Sequence, residues 1–273
     1  MKALINSLKR THWFKASVAF LTCLSFLAFL SCQKDELNQD SILNPDGMSS
    51  SALSKEGKFS YGKVKDVEGN VYKTVKLGKQ WWMAENLAYL PAVSLPTEIS
   101  NTDPYYYVYD YIGTNVADAK ATDNYKKYSV LYNWHAAMNA CPTGWHLPSY
   151  AEWQELAKFV SDEKGPYYGY WYSNNEAYYW PSVGAHLKST SGWGINGTDD
   201  FGFSALPGGS FFLAPEIGTF EEATINGWWW SSTDDYTWTF PSAWVCYLQS
   251  GNPGTGIFRN LMARGLSVRC VKN

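Results

Sequence analysis

Histidine and charge are both scarce in this chain, and each shortage argues against a class of function. Among its 4 histidines, His135 and His146 are separated by a Pro142 and Gly144 turn at a distance that matches no zinc spacing, and His186 stands alone. The 22 Lys and Arg are outnumbered by 25 Asp and Glu, which argues against nucleic acid, whose phosphates need a basic patch. No Gly-x-Ser-x-Gly elbow, phosphate loop or His-Glu-x-x-His is present. The apolar run over residues 16–30 is shorter than the roughly 20 residues of a membrane-spanning helix.

That short run belongs instead to a sorting pattern. Lys2, Lys9, Arg10 and Lys15 lie ahead of it, the layout of a secretory signal. Phe29-Leu30-Ser31-Cys32 then resembles a bacterial lipobox, in which an apolar and a small residue precede the cysteine that takes the lipid. Phe29 departs from the commoner leucine, and Cys23 is a weaker rival. An ordinary secretory signal with an incidental cysteine is the plain alternative. On the lipid reading residues 1–31 are cleaved and Cys32 carries palmitate and further acyl chains. Each buried methylene contributes about 0.8 kcal/mol, so several chains hold where one does not. Lys34-Asp35-Glu36 resembles the export signal of Bacteroidetes lipoproteins, which leads to the expectation of an outer-membrane protein exposed at the cell surface.

Cleavage removes 4 of the 22 basic residues and no acid, leaving 18 against 25, a net charge of −7. Residues 32–58 are polar and unpatterned, as expected of the lipidated cysteine followed by a flexible tether. Residues 59–273 suffice for one domain. All but one of the 14 tryptophans lie in it, together with the 20 tyrosines. Such rings either fill a core poor in helices or stack on the C–H faces of sugars.

Periodicity predicts an α+β domain with two central helices, short antiparallel strands and long aromatic loops. Residues 63–67 and 71–77 alternate apolar with polar about Glu68-Gly69-Asn70, the pattern of a hairpin. Residues 89–127 read as an irregular insertion, and 165–180 as a second Tyr/Trp-rich loop. Leu131, Trp134 and Met138 predict a helix over 128–140. Ser149 and Glu152 form a capping box for a second helix that buries Trp153, Leu156, Ala157 and Val160. Short strands are expected at 203–206, 227–231, 243–248 and 266–271.

Six ordered motifs carry a family likeness. They are residues 71–75, Gln80-Trp81-Trp82-Met83-Ala84-Glu85-Asn86-Leu87, residues 141–149 (Cys-Pro-Thr-Gly-Trp-His-Leu-Pro-Ser), residues 202–209 (Gly-Phe-Ser-Ala-Leu-Pro-Gly-Gly), residues 229–233, and Ser267-Val268-Arg269-Cys270-Val271. From about residue 62 to 272 the chain resembles the Fibrobacter succinogenes major paralogous domain. Through residues 146–153 and 268–270 it is similar, more distantly, to the C-type lectin and formylglycine-generating-enzyme folds. The resemblance implies a C-type-lectin-like domain and a disulfide between Cys141 and Cys270. Cys246, in an apolar strand pattern, reads as a small core residue.

The chemistry of this domain points to binding. The cysteine pair of the formylglycine-generating enzymes is not reproduced, nor are the Glu-Pro-Asn and Trp-Asn-Asp tripeptides of sugar-binding lectins. No cofactor or metal is expected. Calcium has only oxygen clusters at 196–200 and 234–235 to draw on, and both also read as turns. Glu85, Glu152, Glu176, Asp199 and Glu221 supply carboxylates that nothing in the sequence pairs. Candidate ligand-binding residues are Trp228, Trp230, Asp234, Asp235, Trp171 and Trp180. The expected activity is a non-enzymatic surface module for glycan or a protein partner. A polysaccharide-acting or substrate-modifying enzyme and a structural envelope lipoprotein are the alternatives. Sugar stacking requires that some of Trp171, Trp180, Trp228 and Trp230 be exposed.

Overall fold

The computed structural model describes residues 59–165, 169–172, 177–212, 218–237 and 239–273. Cys32, the leader expected over 1–31, the tether expected over 32–58 and Glu176 lie outside the described residues. The expected hairpin forms from β1 (Tyr61–Lys65) and β2 (Val71–Leu77), antiparallel. Gly69, at φ 94°, allows the turn, and the Asp66 carboxylate closes it by accepting the Asn70 N–H at 2.9 Å and the Tyr72 hydroxyl at 2.6 Å. Gln80–Met83 follows as β3.

The expected insertion at 89–127 is partly regular: it holds β4 (Tyr106–Tyr107), α1 (Val116–Ala121) and most of α2 (Asp123–Tyr128). The helix expected over 128–140 is a correction. Ser129 at φ 69° breaks the chain after α2, β5 (Leu131–Tyr132) pairs with β4, and only α3 (Trp134–Met138) is helical. Asn133 decides this, because its side chain caps α3 by accepting the Ala136 N–H at 3.0 Å. After β6 (Trp145–His146) comes α4 (Tyr150–Lys164), with the expected capping box. Ser149 Oγ accepts the Glu152 N–H at 3.2 Å, and Glu152 accepts the Ser149 N–H at 2.7 Å. Its buried face carries Trp153, Leu156, Ala157 and Val160.

The expected loop at 165–180 contains a hairpin of β7 (Tyr170–Tyr172) and β8 (Ala177–Trp180). A helix, α5 (Val183–Leu187), follows. Residues 203–206 do not form a strand. Their one ladder contact is a bridge from Ala205 to Lys188, because the Arg269 guanidinium takes the carbonyls of Phe203 and Ser204. The remaining strands are β9 (Ser210–Phe212), β10 (Thr219–Glu221), β11 (Asn226–Asp235), β12 (Ser242–Gln249), β13 (Thr255–Leu261) and β14 (Val271–Lys272). Alternation in the sequence did not single out β13, and of the strand expected over 266–271 only Val271 belongs to β14, Leu266 and Ser267 forming isolated bridges instead.

The architecture is α+β with strands predominating. Sheet one has the order β1-β2-β3-β14-β6 and sheet two β11-β12-β13-β8-β7, all neighbours antiparallel. Two central helices were expected; five helices occur among the described residues, and α4 alone exceeds six residues. Strand β11 separates two cores. Trp230 faces one, with Tyr132 and Val268, and Trp229 faces the other, with Trp82 and Trp153. Their indole N–H groups are satisfied: Trp230 donates to the Tyr132 carbonyl at 2.7 Å and Trp229 to Asn86 Oδ1 at 3.0 Å. The Cys141–Cys270 disulfide ties the turn before β6 to the approach to β14. Cys246 is buried and free, its thiol pushed up to about 12 by burial.

Candidate ligand-binding face

Sheet two brings aromatic side chains of distant strands into one line. Tyr170 lies opposite Tyr179, Tyr179 opposite Gly256, Gly256 opposite Tyr247, and Tyr247 opposite Trp228. Directly opposed residues of antiparallel strands share a face. These five positions therefore form one row across all five strands, spanning about 19 Å at about 4.8 Å per strand. The glycine in the middle makes room: a Cβ there would meet the Phe258 ring at 2.1 Å. Phe258, two residues on and so on the same face, lays its ring across the gap.

The row is packed but not covered. Tyr170 and Tyr179 have centroids 5.7 Å apart, Tyr247 and Phe258 5.6 Å, and Trp228 and Tyr247 4.1 Å. Tyr170 is 48% exposed, and Tyr179, Phe258, Tyr247 and Trp228 are half-buried. Polar groups fix the rings at their edges. Tyr179 donates its hydroxyl to Asn252 Oδ1 at 2.7 Å and Tyr247 to Asn226 Oδ1 at 3.2 Å, while the Trp228 indole donates to Glu222 at 3.0 Å. Gln249 lies beside Asn226 in register, on the face of Tyr247. Glu222 and Thr224 hold φ values of 67° and 69°, so backbone strain collects beside the Trp228 end.

Electrostatics keep this surface neutral along the row and charged at one end. Burial, with Glu222 and Tyr179 adding to it, pushes the Tyr247 phenol up to about 12, and burial also raises Tyr179. Both therefore remain hydroxyls near neutral pH. At the end, the Arg264 guanidinium lies 5.9 Å from the Trp228 ring centroid and 4.7 Å from that of Phe212. Burial pulls Arg264 down, and Glu222 and Glu221 hold it up. Its Nε is buried with no hydrogen-bond partner among the described residues. Half-exposed ring faces flanked by amides and hydroxyls, with Glu222 and Arg264 at one end, can hold a ligand that is apolar on its face and polar at its rim.

The six candidate residues are not one site. Trp228 belongs to the row. Trp230 is fully buried and Trp180 is 8% exposed, so neither reaches a ligand-facing surface. The strand pattern places both rings in the two cores. Trp171 is 47% exposed but points to the opposite face from Tyr170. Asp234 is exposed, whereas Asp235 is buried and paired with Arg259. The residues missed are Tyr170, Tyr179, Tyr247 and Phe258. Gly256 between them was the available signal, and it needs the register of β13 to be read.

The remaining chemistry-bearing groups have local duties. Glu85 accepts the Lys73 N–H at 2.6 Å, Asp199 the Ser204 N–H at 2.7 Å, and Glu221 the Thr219 hydroxyl at 3.3 Å. Glu152 serves the α4 cap and also meets His146 Nε2 at 2.8 Å. Among the described residues no three His, Cys, Asp or Glu side chains converge as metal ligands. An open cleft of about 440 Å³ lies between the β1–β2 turn and residues 139–143, lined by Asp66, Tyr89 and Cys141.

The family described as the Fibrobacter succinogenes major domain matches residues 75–272. No curated protein and no solved structure matches the chain.

Proposed function

The chain belongs to the Fibrobacter succinogenes major domain family, and on that premise we propose that it is a non-enzymatic binding module that grips glycan along the aromatic row of sheet two. The row carries the proposal. Sugar rings offer flat C–H faces to stack on aromatic rings and hydroxyls to meet Gln249 and Asn252. Lipid on Cys32 and a tether over 32–58 would hold the domain at the outer surface of a bacterial outer membrane. A C-type-lectin-like organisation is part of the same reading, supported by a disulfide that joins the segment before α4 to the residue preceding the last strand.

Titration of the full chain in detergent with a panel of neutral oligosaccharides tests the proposal. Saturable binding is expected, weakened roughly tenfold by Tyr179→Ala or Tyr247→Ala, the loss typical of a central aromatic anchor. Absence of saturable binding, or binding indifferent to both substitutions, overturns it. Loss of labelled palmitate from the Cys32→Ala protein checks the anchor separately.

A further inference from the structure

Strand β7 shows an aromatic side chain to each face of sheet two. Tyr170 joins the row, and Trp171 turns the other way, onto the side covered by α4. That cover ends at Tyr150, the first residue of α4, whose ring packs 4.8 Å from that of Trp244. Beyond it the sheet emerges, and three rings meet at steep angles. Trp171 stands at 88° to Tyr178, with centroids 5.2 Å apart, and at 64° to Trp244, 6.3 Å away. Rings so disposed make a corner, unlike the row behind them.

An arginine lies in this corner. Arg259 is opposite Trp244 in the β12–β13 register, and its guanidinium sits 4.9 Å from the Trp244 centroid. Its Nε donates to Asp235. Asp235 is itself fixed, accepting the Thr237 N–H at 2.8 Å and the Thr237 hydroxyl at 2.6 Å. Burial acts to raise the Asp235 carboxyl, but those bonds and the guanidinium hold it below the usual range, so it stays an anion. The two terminal nitrogens of Arg259 hydrogen-bond no described residue. A guanidinium stacked on a ring and held through Nε keeps its terminal pair in the fork that matches a planar oxyanion.

We infer that this corner is a second ligand site, separate from the row, and that it takes a pyranose bearing a carboxylate. The carboxylate meets the terminal N–H groups of Arg259, and the sugar face packs against Trp171 and Trp244. Asp235 neutralises Arg259, so bulk charge attraction contributes little. The selectivity lies in the fork and in the cost of leaving its donors unmet. The site does not depend on the row, and either can fail alone.

The test is calorimetric titration of the full chain in detergent with an oligomer of galacturonic acid and with the same oligomer methyl-esterified. The acid is expected to bind saturably and the ester at least about tenfold more weakly, the size of one charge-assisted hydrogen-bond pair. Arg259→Lys, which keeps the charge and loses the fork, is expected to weaken the acid by a similar factor. Trp171→Ala, at a half-exposed position of the edge strand β7, should do the same while its denaturant midpoint stays close to the parent's. Tyr179→Ala should leave acid binding unchanged. Equal binding of acid and ester, no binding of the acid, or a loss on Tyr179→Ala without one on Trp171→Ala overturns the inference. So does displacement of the acid by an acidic peptide with no preference for the sugar.

Discussion

The two five-stranded sheets carry out different tasks with different residues. Sheet one has a charged outer face at its edge: Lys63, Lys65 and Lys73 share the exposed face of β1 and β2, while Tyr72 and Thr74 turn inward. Past Thr74 the pattern shifts, with Val75 and Leu77 buried on the side opposite Tyr72 and Lys76 exposed. Sheet one also gathers the closures of the chain, since β14 inserts between β3 and β6, the disulfide ends beside β14, and the α4 cap follows β6. Sheet two has apolar or aromatic side chains on both faces. In β11 the faces of Trp229 and Trp230 are both core, and at the opposite edge of the sheet, in β7, the faces of Tyr170 and Trp171 are both open. Ring count therefore does not separate packing from display; position across the sheet does.

The comparison breaks most sharply at the closures. Replacing Cys141 and Cys270 by Ser should lower stability by about 4–5 kcal/mol, the chain-entropy value for so long a loop, as read by denaturant unfolding. A loss confined to ligand binding, with unfolding unchanged, would mean that sheet one is not the closing element. Within sheet two, Trp230→Ala should cost about 3–5 kcal/mol, as expected for emptying a packed core site. Trp228→Ala should cost clearly less by the same measurement, because its ring is half-buried. Equal losses would remove the distinction between packed and displayed rings.

The smallest expected effect is at the α4 cap. Ser149→Ala should cost about 1 kcal/mol and should also alter the acid limb of the stability curve. Burial acts to raise the Glu152 carboxyl, but the Ser149 N–H and hydroxyl together with His146 hold it below its ordinary 4.5. A carboxyl lowered in the folded state binds fewer protons there than in the unfolded chain. Its contribution is therefore present above pH 4.5 and is lost as pH falls further. Denaturant midpoints measured across that acid range should fall less steeply in the Ser149→Ala protein than in the parent.

Sheet one and α4 were legible in advance because their signals are local. The β1–β2 hairpin is an alternation about Gly69, and the α4 entrance is Ser149 with Glu152 three residues on. The pairing of Cys141 with Cys270 followed from family likeness. The helix expected over 128–140 failed because Ser129 turns the chain at its start and the Asn133 cap falls between Leu131 and Trp134. Residues 203–206 failed as a strand because Arg269, far along the chain, takes their carbonyls. The aromatic row was illegible for a related reason: Tyr170, Tyr179, Tyr247 and Trp228 are aligned only by four separate strand registers.

By itself the sequence determined the acidic balance, the family, the first hairpin and the capped helix. Each rests on composition, on an ordered set of motifs, or on chemistry that acts within a few residues. Tertiary structure alone decided which aromatic rings are core and which are surface. It buried Trp180 and Trp230, left Trp171 and Trp228 accessible, and set Arg259 against Trp244 with Asp235 behind it. The physical reason is that a ring's exposure depends on what lies across the sheet and above it. Those neighbours are supplied by pairing between strands that the order of residues does not put side by side.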